Sequence, residues 1–169
     1  KFFYDVNNES RAAIKERSID RLADAFEIGD FDMKSTISWA LEKCSEEKKK
    51  RFSSEMAEKG NLELLQFLHE NGCPWDGWIC SWAALNGHLE CLRYAHENGC
   101  PRNENACSRA AKNGHLECLR YAHEKGCPWD KDTCSGAALG GHLECLQYAH
   151  ENGCRGSANY AHLLPPPRE

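Results

Sequence analysis

The chain repeats itself every 27 residues, and this constrains its fold more than any other feature. The run Gly-Asn-Leu-Glu-Leu-Leu-Gln-Phe-Leu-His-Glu-Asn-Gly-Cys-Pro that starts at Gly60 returns at Gly87, Gly114 and Gly141. From Gly87 onward its form is close to Gly-His-Leu-Glu-Cys-Leu-Arg-Tyr-Ala-His-Glu-Asn-Gly-Cys-Pro. A weaker copy begins at Gly29, 31 residues before Gly60, and Leu22 to Phe26 match the segment that precedes each later glycine. The sequence therefore holds about five units with degenerate ends. One repeat domain spans 1–169: divergent N-terminal repeats or cap at 1–59, regular repeats at 60–154, and a truncated C-terminal repeat at 155–169.

Each unit predicts two helices. The first follows Asp76, Asn103, Asp130 or Ser157, side chains suited to an N-cap, and ends near Gly87, Gly114 or Gly141. The second begins at Asn61, His88, His115 or His142. Glu63, Glu90, Glu117 or Glu144 then places negative charge at the positive end of its dipole. Gly72, Gly99, Gly126 and Gly153 are set to close the second helix in the left-handed conformation, and Pro74, Pro101 and Pro128 prevent its continuation. No strand pattern is present. Neither helix can bury its apolar side alone, so neighbouring units must stack. The expected fold is all-α: a curved helical-pair solenoid of about ten helices, with no sheet and with the first helices lining one side. Glu55, Glu58 and Lys59 suit the polar face of an N-terminal cap. Residues 158–164 start another first helix that Pro165-Pro166-Pro167 stops.

The run Ala83-Ala84-Leu85-Asn86-Gly87-His88-Leu89-Glu90, repeated at 110–117 and 137–144, resembles the ankyrin repeat, as does the closing Glu-Asn-Gly. The resemblance covers residues 19–164 and is strongest over 60–154. Two departures are plain. An ankyrin unit has about 33 residues, and the Thr-Pro-Leu-His segment is replaced by forms such as Ile79-Cys80-Ser81-Trp82. The resemblance implies an ankyrin-like solenoid with short loops in place of β-hairpin fingers, working as a platform for protein partners.

The eleven cysteines fall into columns. Cys80, Cys107 and Cys134 lie in first helices, and Cys91, Cys118 and Cys145 in second helices. Cys73, Cys100, Cys127 and Cys154 follow the closing glycine. Leu64 and Ala161 substitute for cysteine in two columns, which marks it as small apolar filler. A disulfide along a column would have to bridge units about 8–10 Å apart, beyond the about 4.4–6.8 Å that a cystine spans. All the cysteines are therefore expected reduced. His96 and Cys100, His123 and Cys127, and His150 and Cys154 have a spacing that zinc accepts, but no Cys-x-x-Cys occurs and the helix ends between the two residues. His69, His96, His123 and His150 are placed to meet terminal carbonyls and the helix dipole. His88, His115 and His142 are placed for capping or inter-unit hydrogen bonding. Because every Cys/His pair is replicated, a structural cause is favoured over catalysis. No catalytic residue, metal ligand or cofactor site is expected.

Within the first helices some positions are held and others vary. Cys80, Ala83 and Ala84 recur as Cys107, Ala110, Ala111 and as Cys134, Ala137, Ala138. The varied triplets are Trp78, Trp82, Leu85, then Asn105, Arg109, Lys112, then Asp132, Gly136, Leu139. At about 100° per residue the varied set centres near 0° and the held set near 190°. The held face packs inward and the varied face looks out. With the loop residues, this gives a candidate partner-binding surface of Trp78, Trp82, Leu85, Glu104, Asn105, Arg109, Lys112, Lys131, Asp132 and Leu139, whose aromatics resemble an interface hot spot. Trp75 and Trp129 share one repeat position and are assigned to packing. The run Glu46-Glu47-Lys48-Lys49-Lys50-Arg51 reads as a solvated helix face with i,i+4 charge pairs, in preference to a localisation or phosphate-binding patch.

Composition narrows the function classes. Hydrophobic residues at 41% and charged residues at 28% describe an ordinary soluble chain. A net charge of -5 and the lack of a recurring base-reading pair disfavour nucleic acid as partner. No run of about 18 apolar residues suggests a membrane span. The opening Lys1-Phe2-Phe3-Tyr4-Asp5 suggests a fragment of a longer protein, whose targeting signals the fragment does not display. The location expected is intracellular, cytoplasmic or nuclear. The function expected is a non-enzymatic scaffold for a protein or peptide. A Cys/His-rich metal-binding or redox-sensing solenoid is the alternative, and a nucleic-acid-reading solenoid ranks last.

Overall fold

The computed structural model describes residues 34, 37, 38, 41, 42, 44–101 and 105–164. Among them lie nine helical elements and no strand. In chain order these are α1 (Glu46–Lys59), α2 (Leu62–Glu70), α3 (Trp78–Leu85), α4 (Leu89–Glu97), α5 (Asn105–Lys112), α6 (Leu116–Glu124), α7 (Lys131–Gly140), α8 (Leu143–Glu151) and a 3-10 helix, η1 (Ser157–Leu163). The odd-numbered helices stack as one layer and the even-numbered as another. Each helix packs mainly on its own repeat partner and on the same helix of the adjacent repeats. That is the nearest-neighbour contact pattern of a solenoid. Of the divergent N-terminal repeats or cap expected at 1–59, residues 1–33, 35, 36, 39, 40 and 43 lie outside the described residues.

The caps show how the sequence closes each helix. After α2, Cys73 N–H bonds the Leu68 carbonyl and Gly72 N–H the His69 carbonyl, and Gly72 has φ 73°. This is the Schellman arrangement, and glycine occupies it because a Cβ there costs energy. The first helices close in the same way: His88 N–H reaches the Ala83 carbonyl at 2.9 Å. At the N-termini the expectations divide. Asp130 caps α7, its carboxylate accepting from Asp132 N–H at 2.8 Å. Asp76 accepts from Trp78 N–H at 3.0 Å, although Gly77 takes the cap position. Ser157 does not cap: it lies within η1 and its hydroxyl meets His150 Nδ1 at 2.9 Å. Asn103 lies outside the described residues.

The core is one continuous seam, built of small residues where first helices meet and of leucines in the second layer. Cys80, Ala83, Ala84, Cys107, Ala110, Ala111, Cys134 and Ala137 are buried, as are Leu65, Leu68, Leu92, Leu119 and Leu146. Full burial of one such leucine contributes about 1.5–3 kcal/mol. Ser53 of α1 is buried at the position that cysteine holds in the next three first helices. The charged run before it forms ion pairs at i,i+3, Lys49–Glu46 at 2.8 Å and Lys50–Glu47 at 3.5 Å, one residue closer than the i,i+4 spacing expected.

Candidate functional site

The varied stripe emerges opposite the buried held face. Trp78 is 45% exposed and Leu139 84%, which is unusual for side chains of this size. Lys112, Lys131 and Asp132 are exposed, while Trp82, Leu85, Asn105 and Arg109 are half-buried. Glu104 lies outside the described residues. Lys131 stands at the start of α7 beside η1, where a Cβ on Gly156 would be 3.1 Å from its own Cβ.

Arg109 draws part of the stripe together. Its guanidinium carbon lies 5.2 Å from the ring centre of Trp78 and 4.8 Å from that of Trp82. A planar cation over indole rings is attracted by their electron-rich faces. The aromatic patch and the basic stripe that the sequence separates are thus one assembly, with α5 supplying the cation and α3 the rings. Next to it a groove of about 540 Å3 opens between α1 and α3, lined by Arg51, Ser54, Glu55, Glu58, Lys59, Trp82 and Asn86. Lys59 pairs with Glu55 at 3.3 Å across its rim. Asp132 and Leu139 stand apart on α7, on the far side of α5.

Three of the groove residues were readable in the sequence. Arg51, Glu55 and Glu58 stand 27 residues before Trp78, Trp82 and Leu85. Extending the register back by one unit adds them to the varied stripe. The unequal spacing upstream of Gly60 hid this. The stripe therefore passes from mixed charge on α1, through aromatic and apolar on α3, to polar and basic on α5.

The histidines act between repeats. His88 has no capping bond, and its Nε2 donates to the Glu58 carbonyl of the preceding repeat at 3.0 Å. His69 Nδ1 is 3.1 Å from the Tyr94 hydroxyl, and His123 Nδ1 is 3.1 Å from that of Tyr148. The partner recorded for these two is thus the next repeat's tyrosine, rather than the helix's own terminal carbonyls. Trp75 stacks on His69 at 4.0 Å between ring centres and Trp129 on His123 at 3.7 Å, so both tryptophans take the packing role expected of them.

The cysteines require a correction. Cys134 and Cys154 form a disulfide with a Cα–Cα distance of 6.6 Å, so not all eleven are thiols. The bond crosses between two columns inside one repeat, a geometry that distances along a column do not describe. Burial pushes the thiols of Cys91, Cys118 and Cys145 up to about 11, and that of Cys107 to about 12. No group of three or more metal-ligating side chains assembles among the described residues.

Helix pairs that each contact only their neighbours define a solenoid repeat protein, and a stripe of unlike residues on a uniform scaffold gives it an outward-facing surface. The family described as Ankyrin repeats (3 copies) matches residues 54–133, and these repeats belong to the ankyrin repeat family. Three copies in that span fit the 27-residue period. The structure is similar to the crystal structure of the human ASB11 ankyrin repeat domain, with a TM-score of 0.55 and 22% identity over 61% of this chain. The match spans about half of that chain, 54%. No curated protein sequence matches. Ankyrin repeats are in general protein–protein interaction modules, and no described helix is long and apolar enough to cross a membrane.

Proposed function

We propose that the array is a non-enzymatic scaffold that binds a protein or peptide across the outer stripe of its first helices. The contact residues are Trp78, Trp82, Leu85, Asn105, Arg109, Lys112, Lys131, Asp132 and Leu139, extended by Arg51, Glu55 and Glu58 along the groove. The observation that carries this reading is Trp78, exposed beside an open groove and braced by Arg109. Fixing a tryptophan before a partner arrives lowers the ordering cost of binding, which suits a hot spot. Replication of every Cys/His pair supports a non-catalytic role. Nine cysteines outside the disulfide among the described residues, eight of them buried, suit a reducing compartment, cytoplasmic or nuclear.

The test is selection of peptides from a displayed library against the full chain, followed by affinity measurement on variants. Peptides specific for the stripe should lose at least about tenfold in affinity on Trp78→Ala, the scale of a truncated aromatic anchor. If selected peptides bind the Trp78→Ala and Leu139→Ala chains as well as the parent, the stripe is not the binding surface.

A further inference from the structure

The disulfide within one repeat has counterparts in two others. Cys134 and Cys154 are separated by 20 residues, and Cys80 with Cys100 and Cys107 with Cys127 repeat that spacing. In each pair the first cysteine is in the first helix and the second lies in the turn after the second helix. The turns match: Cys100, Cys127 and Cys154 each bond, through N–H, a carbonyl five residues back at 2.9 Å. The sulfurs match as well. Cys100 Sγ donates to the Asp76 carbonyl at 3.3 Å, and the bonded Cys154 Sγ sits 3.1 Å from the equivalent Asp130 carbonyl. The turn sulfur thus occupies one place whether its pair is open or closed. In the middle repeat Cys107 Sγ reaches the Cys127 carbonyl at 3.7 Å.

We propose that Cys80–Cys100, Cys107–Cys127 and Cys134–Cys154 are three equivalent dithiol–disulfide couples, oxidised by a low-molecular-weight disulfide, that staple each first helix to the turn closing its own repeat. This goes beyond the binding role and does not depend on it. The 6.6 Å Cα–Cα separation lies within the range a cystine spans. In the open Cys80–Cys100 pair, the hydrogen bond from Cys80 holds the Cys100 thiol below its usual value. The same bond, with burial, pushes Cys80 up. Cys100 lies in the turn and is the more exposed of the two, 5% against 2%, and with its lowered value it is the attacking group. Its thiolate attacks one sulfur of the oxidant, and the first leaving thiolate takes up the proton Cys100 has lost. Cys80 then gives up its proton and attacks the Cys100 sulfur of the mixed disulfide. The second leaving thiolate accepts that proton. Two protein thiols lose two electrons, and the oxidant becomes two thiols. The turn cysteines lie beyond the helix end, so access requires a turn to open rather than a helix to melt.

The other cysteines mark the limits of the device. Cys91, Cys118 and Cys145 recur one per repeat with no cross-column partner at this spacing. Cys73 stands 20 residues after Ser53, which takes the place of the column cysteine.

The full chain, fully reduced and then equilibrated in its native state with glutathione disulfide, gives the test. Alkylation, denaturation and peptide mapping should find three cystines, each within one repeat, and five of the eleven cysteines alkylated. Oxidation should raise the Tm by at least about 5 °C, reversibly with a dithiol reductant. Cys80→Ser, which copies the serine already accommodated at position 53, should delete one cystine and leave the other two. Cystines between repeats or through Cys91, Cys118 or Cys145 would overturn the proposal. So would closure of Cys134–Cys154 alone, glutathione adducts without ring closure, absence of any oxidation product, or three cystines with an unchanged Tm.

Discussion

The imidazole of His88 fills the space where a side chain on Gly60 would stand. A Cβ built on Gly60 lies 2.5 Å from His88 Nδ1, while Nε2 of the same ring donates to the Glu58 carbonyl. His115 stands over Gly87 and His142 over Gly114 with the same closeness. The glycine that ends a first helix therefore serves twice. It takes the left-handed conformation, and it lets the following repeat approach until a histidine rests on bare backbone. This contact links each repeat to the next and explains why the Gly-His dipeptides stand one period apart.

The two kinds of glycine should thus respond differently to alanine. Gly87 has φ 77° and a histidine overhead, whereas Gly99 has φ 83° and nothing within 4 Å of an added Cβ. Gly99→Ala should cost only the conformational penalty, about 1–2 kcal/mol. Gly87→Ala must also displace His115, and should cost about 2–4 kcal/mol. Urea unfolding of both variants decides the matter. Equal losses would mean that the histidine contact contributes nothing.

A second contrast concerns hydroxyls that differ only in repeat number. The Tyr148 hydroxyl is 3.1 Å from His123 Nδ1, but that of Tyr121 is buried with no hydrogen-bond partner. Tyr148→Phe should destabilise by about 1 kcal/mol, the usual net worth of a hydrogen bond. Tyr121→Phe removes an unsatisfied group and should be neutral or stabilising. A loss on Tyr121→Phe as large as on Tyr148→Phe would show that its hydroxyl is satisfied in solution.

Much of this was legible because repetition sorts residues by role. Glycine, proline and acidic positions fixed the helix pairs, and the contrast of held alanines with varied neighbours separated inside from outside. What remained hidden involved distances across the repeat axis. Spacing along a column says nothing of how the Cys134 column meets the Cys154 column, so the disulfide was missed. Nor does a helix-end histidine declare that the next repeat's tyrosine lies nearer than its own carbonyls. Arg109 reads as a free surface charge until α5 is laid against α3 and the guanidinium meets two indoles.

Alkali should unfold the reduced protein early. Burial raises Cys73, Cys91, Cys118 and Cys145 from an ordinary 9.0 to about 11, and Cys107 to about 12. Below the unfolded value both states hold the protons, and the stabilising contribution is complete. Between pH 9 and 11 the unfolded chain releases protons that the folded chain keeps, so stability falls as pH rises. The Tm of the fully reduced chain should therefore drop steeply above pH 9, and Cys118→Ala should make that slope shallower by one thiol. A Tm that is flat from pH 8 to pH 10.5 would contradict the buried-thiol account.

The last prediction concerns Arg109 and its two tryptophans. Trp78 is exposed at the head of α3, so Trp78→Ala should change stability by no more than about 0.5–1 kcal/mol. Trp82 is half-buried, forms a wall of the groove and lies beneath Arg109. Its replacement by alanine should cost about 1–2 kcal/mol, so the two tryptophans are not interchangeable as probes of binding. The guanidinium over the rings should contribute about 0.5–1 kcal/mol of coupling, measurable by a double-mutant cycle of Arg109→Ala and Trp82→Ala. Arg109→Lys should lose part of that coupling, because an ammonium keeps the charge but has no flat face to lay over a ring. Arg109→Ala should also weaken any peptide selected through Trp78, and that loss should persist at high salt because the arginine positions the indole. Lys112→Ala, an exposed charge at the rim, should show an effect that salt abolishes. Additive Arg109 and Trp82 losses, together with identical salt dependence for Arg109→Ala and Lys112→Ala, would make Arg109 a simple surface charge.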